Sequence, residues 1–412
     1  MTPTLTRRAA AVVASAGLLA SALLAGCSSI DPTAGGTAGT SSSASAPASA
    51  ASSAASASPS TVAVPTLTMT SQHALNAVLP TDTLTFAATN GTVSAVTVAT
   101  GSGTAVPGSL SGTTWKPTRN LLPQTDYVAT VTLTASDNST RTETRKFSTL
   151  KTTIENYDIL YTGFTLGVGM PAIIQFVQPV ETQAMRAEVV KNVSVTSSPR
   201  QEGSWGWVDN RQLMWRPKDY WTKGTKVTVT ANLAGIQTGK NSWVGRDATG
   251  SFSIGDARIS YVNIATHQMR VTENGKTIKT IPITAGREPD YTTRSGIKVI
   301  MQRYSHIVMD STTVDIPKNS PDAYHLDVKW AMRLTWSGEF LHAAPWSVAS
   351  QGVANVSHGC TGMSDANAKW MFDFSRAGDV VVFTGSNRPM TLGNGIGVWN
   401  DSFSQWQALA SV

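Results

Sequence analysis

Between about Pro65 and Ser253 apolar and polar residues alternate in short runs. Val128-Ala129-Thr130-Val131-Thr132-Leu133 and Val227-Thr228-Val229-Thr230-Ala231 are two examples. A period of two puts alternate side chains on opposite faces and predicts half-buried strands, separated here by turn signals such as Asn90-Gly91. The pattern also repeats on a larger scale. Thr114-Trp115-Lys116-Pro117 precedes the first run, which closes near Phe147-Ser148; Met214-Trp215-Arg216-Pro217 precedes the second, which closes near Phe252-Ser253. An offset of about 100 residues marks a duplicated domain, not a short repeat. Two tandem immunoglobulin-like β-sandwiches are therefore expected, over 65–150 and 151–253. Trp115 and Trp215 read as core anchors, and neither copy carries a catalytic cluster, so both read as spacer or docking modules.

From Ile254 the pattern changes. His267 to Glu273, Asn274-Gly275 and Lys276 to Thr284 predict a hairpin. Lys298-Val299-Ile300-Met301 and Glu339-Phe340-Leu341-His342 read as further short strands. One helix is expected where Ser364 caps and Asp365 suits the positive first turn, with Trp370, Met371 and Phe374 on its apolar face before Gly378. A strand over Val380 to Phe383 follows. The fold class is mainly β, with one or two helices in this third region.

Ahead of the sandwiches the composition shifts. Ser28 to about Val64 is Ser, Ala, Thr, Gly and Pro with Asp31 as its one charge, too little apolar surface to fold. It reads as a tether with an r.m.s. reach of roughly 35 Å. Arg7 and Arg8 precede an uncharged run from Ala9 to Ala25 that ends in Leu24-Ala25-Gly26-Cys27. That is an export signal, too short for a comfortable span. Its end is similar to a bacterial lipobox, implying a signal peptide over 1–26, a diacylated Cys27 opening the 27–64 linker, and a chain held on the outer face of the cytoplasmic membrane facing the cell wall. An ordinary signal peptide with a chance cysteine is the other reading. The net charge of +6 is spread along the chain and does not argue for nucleic acid.

The chain has two cysteines. If lipidation consumes Cys27, Cys360 is a lone thiol in an exported domain, either buried and inert or reactive. Its surroundings favour reactivity: His342 ends an apolar strand, His358-Gly359 stand directly before it, and a helix start a few residues later would lower its pKa. Thiolate, imidazole base and backbone donors are the grammar of covalent acyl transfer. A β-rich structural domain with a buried thiol, and a zinc site from His342, His358 and Cys360, are the competing readings.

Phe340-Leu341-His342, fourteen residues, then Ser357-His358-Gly359-Cys360 resembles the signature of the L,D-transpeptidases of YkuD fold. The resemblance extends through Met309-Asp310-Ser311, Asn319-Ser320-Pro321, Ser337-Gly338 and Ala344-Pro345-Trp346-Ser347-Val348. The tail, Gly397-Val398-Trp399-Asn400 through Gln405-Trp406, resembles the C-terminal extension of actinobacterial members, which carry two immunoglobulin-like domains ahead of the catalytic one. The resemblance implies a catalytic domain over 254–385 and an extension over 386–412 packing on it. Cys360 would be the nucleophile, His342 the general base and Ala343 the residue whose carbonyl orients the imidazole. His358 and Gly359 would fall in the oxyanion and orienting segment. Tyr324, Ser337, Gly338, Trp346, Met309, Ser357 and Gly362 would line the substrate site.

Two departures stand out. The family has an aliphatic residue and then Asn or Arg after the cysteine, where this chain has Thr361 and Gly362. Its Pro-rich lead into a glycine is replaced by Thr293-Arg294-Ser295 before Gly296. The implied activity is 3→3 cross-linking of peptidoglycan stem tetrapeptides through a thioester with release of D-Ala. No metal or cofactor is involved, and carbapenems would act as covalent inhibitors. L,D-carboxypeptidase action through the same intermediate, and a catalytically impaired lipid-anchored wall-binding protein, are the alternatives.

Overall fold

The computed structural model describes residues 62–411, so the lipobox at Cys27 and the Ser/Ala-rich tether up to Thr61 lie outside the described residues. The first sandwich faces a sheet containing Thr66–Ser71 and Leu84–Thr89 against one built on Gly91–Thr100, Asp126–Ala135 and Thr140–Ser148. Along Asp126–Ala135 every second residue from Tyr127 on is buried and those between are half-buried, as its period-two sequence requires. Leu84, Phe86, Trp115, Tyr127, Val131 and Leu133 fill a core belonging to this domain alone.

In the second sandwich, Ala172–Phe176, Gly203–Trp207 and Gln212–Pro217 face Val193–Ser198, Lys226–Ala231 and Ala248–Ile254. The repeat is structural as well as sequential. Trp115 and Trp215 are both buried, and each lies over a glycine of the neighbouring strand: Gly108, which pairs with Pro117, and Gly203, which pairs with Pro217. A Cβ at either glycine would run into the indole ring. The second copy is not purely β, for it carries a helix over Gln183–Lys191. Its only buried residue is Val189, so a one-residue apolar stripe left little periodic signal to read.

The third region packs a five-stranded sheet (Arg258–Asn263, Gln268–Glu273, Lys276–Pro282, Gly296–Val299, Val380–Thr384) beside a four-stranded one (Gln302–Asp310, His325–Arg333, Phe340–Ala343, Thr361–Met363). The opening hairpin turns at Asn274 and Gly275, both at positive φ, as a two-residue Asn-Gly turn demands. The helix runs Asp365–Phe374, capped by Ser364, and buries Ala368 and Met371 against the domain core.

The extension was expected on the catalytic domain and contacts two neighbours. Met390 and Asn400 do contact the catalytic region, through hydrogen bonds to the Ser295 and Ile297 backbone. The terminal helix, Phe403–Ala408, instead docks on the second sandwich, where Trp406 is fully buried and its Nε1–H donates to Ser204 O at 2.9 Å. The bare Gly206 leaves the room for that ring, since a Cβ there would stand 2.7 Å from it. The tail thus staples the second sandwich to the catalytic region, and one apolar cluster runs from Tyr157 and Phe252 through Val299, Met301 and Val380 to Trp399 and Trp406.

Candidate active site

Strand register brings the candidate pair together. Phe340–Ala343 and Thr361–Met363 are parallel neighbours, with His342 opposite Gly362 and Leu341 opposite Thr361. Side chains alternate along a strand, so the face carrying His342 is also the face of Cys360 and Gly362, while Thr361 turns to the other side. Cys360, His342, His358, Ser357, Gly362, Tyr324, Met309 and Trp346 all line one cavity of about 240 Å3. Thr284, Leu326, Val328, Ala344, Ser347 and Val356 complete it. None of these six was expected at the site: the four apolar ones carry no signal that separates them from core, and Thr284 and Ser347 carry none that separates them from ordinary strand and turn residues.

His342 is buried, and its Nδ1 lies 2.7 Å from Ala343 O. A carbonyl only accepts, so Nδ1 carries the proton and Nε2 keeps its lone pair. The contact uses the main chain, so the Ala343 side chain plays no part in it. Burial also lowers the His342 pKa, favouring the neutral ring.

The thiol departs from expectation. Burial pushes the Cys360 pKa up to about 12, and the negative charge of Glu339 adds to the rise; the Phe340 amide, Lys298 and Arg333 oppose it. The helix was expected to act the other way, but Thr361–Met363 is a strand that carries the chain away before the helix begins at Asp365. Helix-end charge fades beyond the terminal turn, so desolvation wins. The resting pair is therefore a neutral thiol and a neutral imidazole, with Sγ–H directed to Gly338 O at 3.3 Å.

The turn before Cys360 is locked from within. Ser357 Oγ donates to Cys360 O at 2.6 Å and accepts from Gly359 N–H at 3.1 Å. Gly359 sits at φ +119, a conformation only glycine adopts without strain. Its N–H, expected among the oxyanion donors, is thus engaged inside the turn. The His358 ring lies 4.5 Å from the Tyr291 ring and 5.0 Å from that of Tyr324. Its Nε2 stands 3.8 Å from Asp322, a carboxylate already bound by Arg287 and Tyr291.

Ser337 does not face the cavity. Its hydroxyl meets Arg294 Nη1 at 3.0 Å and Asn394 Nδ2 at 2.9 Å. Its neighbour Gly338 reaches the thiol through its carbonyl alone. At the first departure, Thr361 is buried with its hydroxyl unpartnered. Gly362 is hemmed in, since a Cβ there would lie 2.9 Å from Ala344 Cβ and 3.0 Å from Thr284 Cγ2. The main chain pins this crowding, because Gly362 N–H donates to Thr284 O at 2.9 Å and Thr284 N–H to Gly362 O at 3.1 Å.

A thiol and a tautomer-fixed imidazole on one cavity, in a β-rich domain behind two sandwiches, define a cysteine–histidine arrangement of the acyl-transfer type. Comparison with known proteins gives the family. The family model for the L,D-transpeptidase catalytic domain matches residues 257–383, and that for a bacterial Ig domain matches residues 75–237. L,D-transpeptidase 2 of Mycobacterium tuberculosis is 35% identical over 325 residues, covering 78% of this chain and 79% of that protein. L,D-transpeptidase 1 of the same organism is 37% identical over 223 residues, covering 54% and 82%. A solved structure of the L,D-transpeptidase LdtMt1 in complex with imipenem covers 57% of this chain and 100% of that chain, at 35% identity and a TM-score of 0.49. The chain belongs to the L,D-transpeptidase family.

Proposed function

We propose that this chain forms 3→3 peptidoglycan cross-links through a thioester on Cys360, and that it does so on the outer face of the cytoplasmic membrane, anchored through a lipidated Cys27. The observation that carries the catalytic part is the His342 Nδ1 contact with Ala343 O, which leaves Nε2 free as a base, on the same cavity as the Cys360 thiol. His342 Nε2 takes the Sγ proton as sulfur bonds to the carbonyl that links the third stem residue, a diamino acid, to the terminal D-Ala of a donor tetrapeptide. As the tetrahedral adduct collapses, the C–N bond breaks and the imidazolium returns the proton to the departing D-Ala amine. The side-chain amine of an acceptor stem then attacks the thioester, losing its proton to His342 as the C–S bond breaks and the thiol is regenerated. Water in place of that amine gives L,D-carboxypeptidase action. The Cys360 amide is the donor we assign to the oxyanion, because the Gly359 N–H is already bonded.

A carbapenem presents a strained lactam carbonyl to the same sulfur. Intact mass after meropenem treatment is expected to show one adduct on the wild type and none on Cys360→Ser. An unmodified wild type, or an equally modified Cys360→Ser, would leave a wall-binding protein with a degenerate site as the better reading. Incubation with purified tetrapeptide, followed by muropeptide analysis, separates cross-linked dimer from trimmed tripeptide.

A further inference from the structure

Beneath the turn that carries Cys360 lies a buried ion network that the sequence reading did not single out. Lys298 has no exposed surface, and its Nζ stands 2.5 Å from Glu339 Oε2 and 3.8 Å over the Phe383 ring. Glu339 Oε1 accepts from Arg294 N–H at 3.0 Å and from Arg294 Nη1 at 3.2 Å. A buried ion pair costs so much desolvation that an apolar pair of similar volume is often as stable or more so. Fold stability alone is therefore a weak reason for this one.

We propose that Glu339, with Lys298 as its counter-charge, is a positioning residue for Cys360 that fixes the main chain on both sides of the thiol. On one side, the Arg294 N–H held by Glu339 places Thr293. The Thr293 hydroxyl donates to Gly359 O at 2.8 Å and accepts from Gly286 N–H at 2.8 Å. The Glu339 side chain itself runs under this turn, with its Cγ 3.8 Å from where a Cβ on Gly359 would stand. On the other side, Glu339 directly follows Gly338, whose carbonyl receives the thiol hydrogen at 3.3 Å. Glu339 N–H donates to Thr335 Oγ1 at 2.9 Å, and the Arg294 guanidinium bound by its carboxylate also grips Ser337, so the Thr335–Gly338 turn is closed by the same residue. At the sulfur Lys298 and Glu339 act with opposite sign, and the test below compares variants that lack both charges, so that geometry alone differs between them.

This role rests on the reading of Cys360 as nucleophile, and the test separates the two. Lys298→Met/Glu339→Gln and Lys298→Met/Glu339→Leu both remove the Lys298–Glu339 pair and leave the Arg294 guanidinium equally without its carboxylate, so the two variants match in charge. Glutamine still offers an oxygen to Arg294 N–H, and leucine does not. At saturating meropenem the leucine variant is expected to acylate about tenfold more slowly than the glutamine variant, with the half-saturating concentration unchanged. Loss of a merely structural contact would lower the melting temperature without splitting rate from binding in this way. Thr293→Val, which keeps every charge, serves if the leucine variant does not fold, and is expected to slow acylation likewise. Equal acylation rates in the two double variants, or an unaltered rate in Thr293→Val, overturn the positioning role while the nucleophile reading stands. A wild type whose Cys360 takes no meropenem overturns both.

Discussion

The two sandwiches share one repeated motif, Trp115-Lys116-Pro117 in the first and Trp215-Arg216-Pro217 in the second, and differ most at its middle residue. Lys116 is exposed. Arg216 is 2% exposed, with its guanidinium carbon 5.0 Å from the Trp399 ring centroid, 5.4 Å from Phe403 and 5.8 Å from Trp406, and Nη2 donating to Asp401 O at 3.0 Å. A planar guanidinium stacks on rings and still donates from its edge, which a lysine ammonium cannot do. The rest of the second copy follows suit. Gly167 and Gly169 N–H groups donate to Ala377 and Gly378 carbonyls, Trp399 Nε1–H donates to Gly169 O, and the apolar core is continuous with the catalytic region. The first copy keeps a private core and meets the second through polar contacts: a two-pronged Arg119–Asp247 pair at 2.8 Å, and Asn120 Nδ2 to Gly235 O at 2.9 Å. One copy is built into the catalytic body; the other is an arm attached to it.

The largest break in that contrast is expected from Trp406→Ala, which empties the tail's anchor on the second sandwich. A cost of about 3–5 kcal/mol, read by denaturant unfolding, is expected. Arg216→Lys, which gives the second copy the first copy's residue, is expected to cost about 1–3 kcal/mol, while Lys116→Arg changes stability by less than about 0.5 kcal/mol. Equal effects of the two exchanges would erase the distinction between body and arm.

Asp379 sharpens the comparison through pH. It lies at the junction beside Gly167, where burial raises its pKa from 3.8 to about 7 and its Oδ1 has no partner. Because the folded value is the higher one, the native chain holds an extra proton between about pH 4 and pH 7. Stability should fall as pH rises through that window, and the penalty is complete above it. Asp379→Asn is expected to raise stability at pH 8 by roughly 1–3 kcal/mol and to flatten the pH dependence of the melting temperature. At the arm, Arg119→Ala removes an exposed pair and is expected to cost less than about 1 kcal/mol. Smallest of all, a chain lacking the first sandwich should be acylated by meropenem within about twofold of the intact rate, because distant sites with no shared partners act independently.

Much of this is legible in the sequence. Period-two runs marked the sandwich strands, the Asn274-Gly275 turn set the hairpin, and Ser364 with Asp365 marked the helix start. The segment from His342 to Cys360 pointed to the cavity. The helix over Gln183–Lys191 was not legible, because a single buried face residue makes no period. Glu339 and Lys298 were hidden too, since each stands in a strand-like run where a charge reads as a solvated face. Ser337 was placed in the substrate site by its motif, but its hydroxyl is held by Arg294 and Asn394.

The sequence by itself determined what is local or periodic: the strand pattern, the duplication, the turn and cap chemistry, and the residue types of a thiol–imidazole site. Tertiary structure decided what depends on which segments meet. It set the thiol's protonation, because desolvation comes from neighbours distant in the chain and outweighs a helix end five residues away. It paired Lys298 with Glu339, forty-one positions apart. It also made one sandwich an arm and the other part of the catalytic body, because burial of Arg216 against Trp399 and Trp406 is a contact that no local pattern encodes.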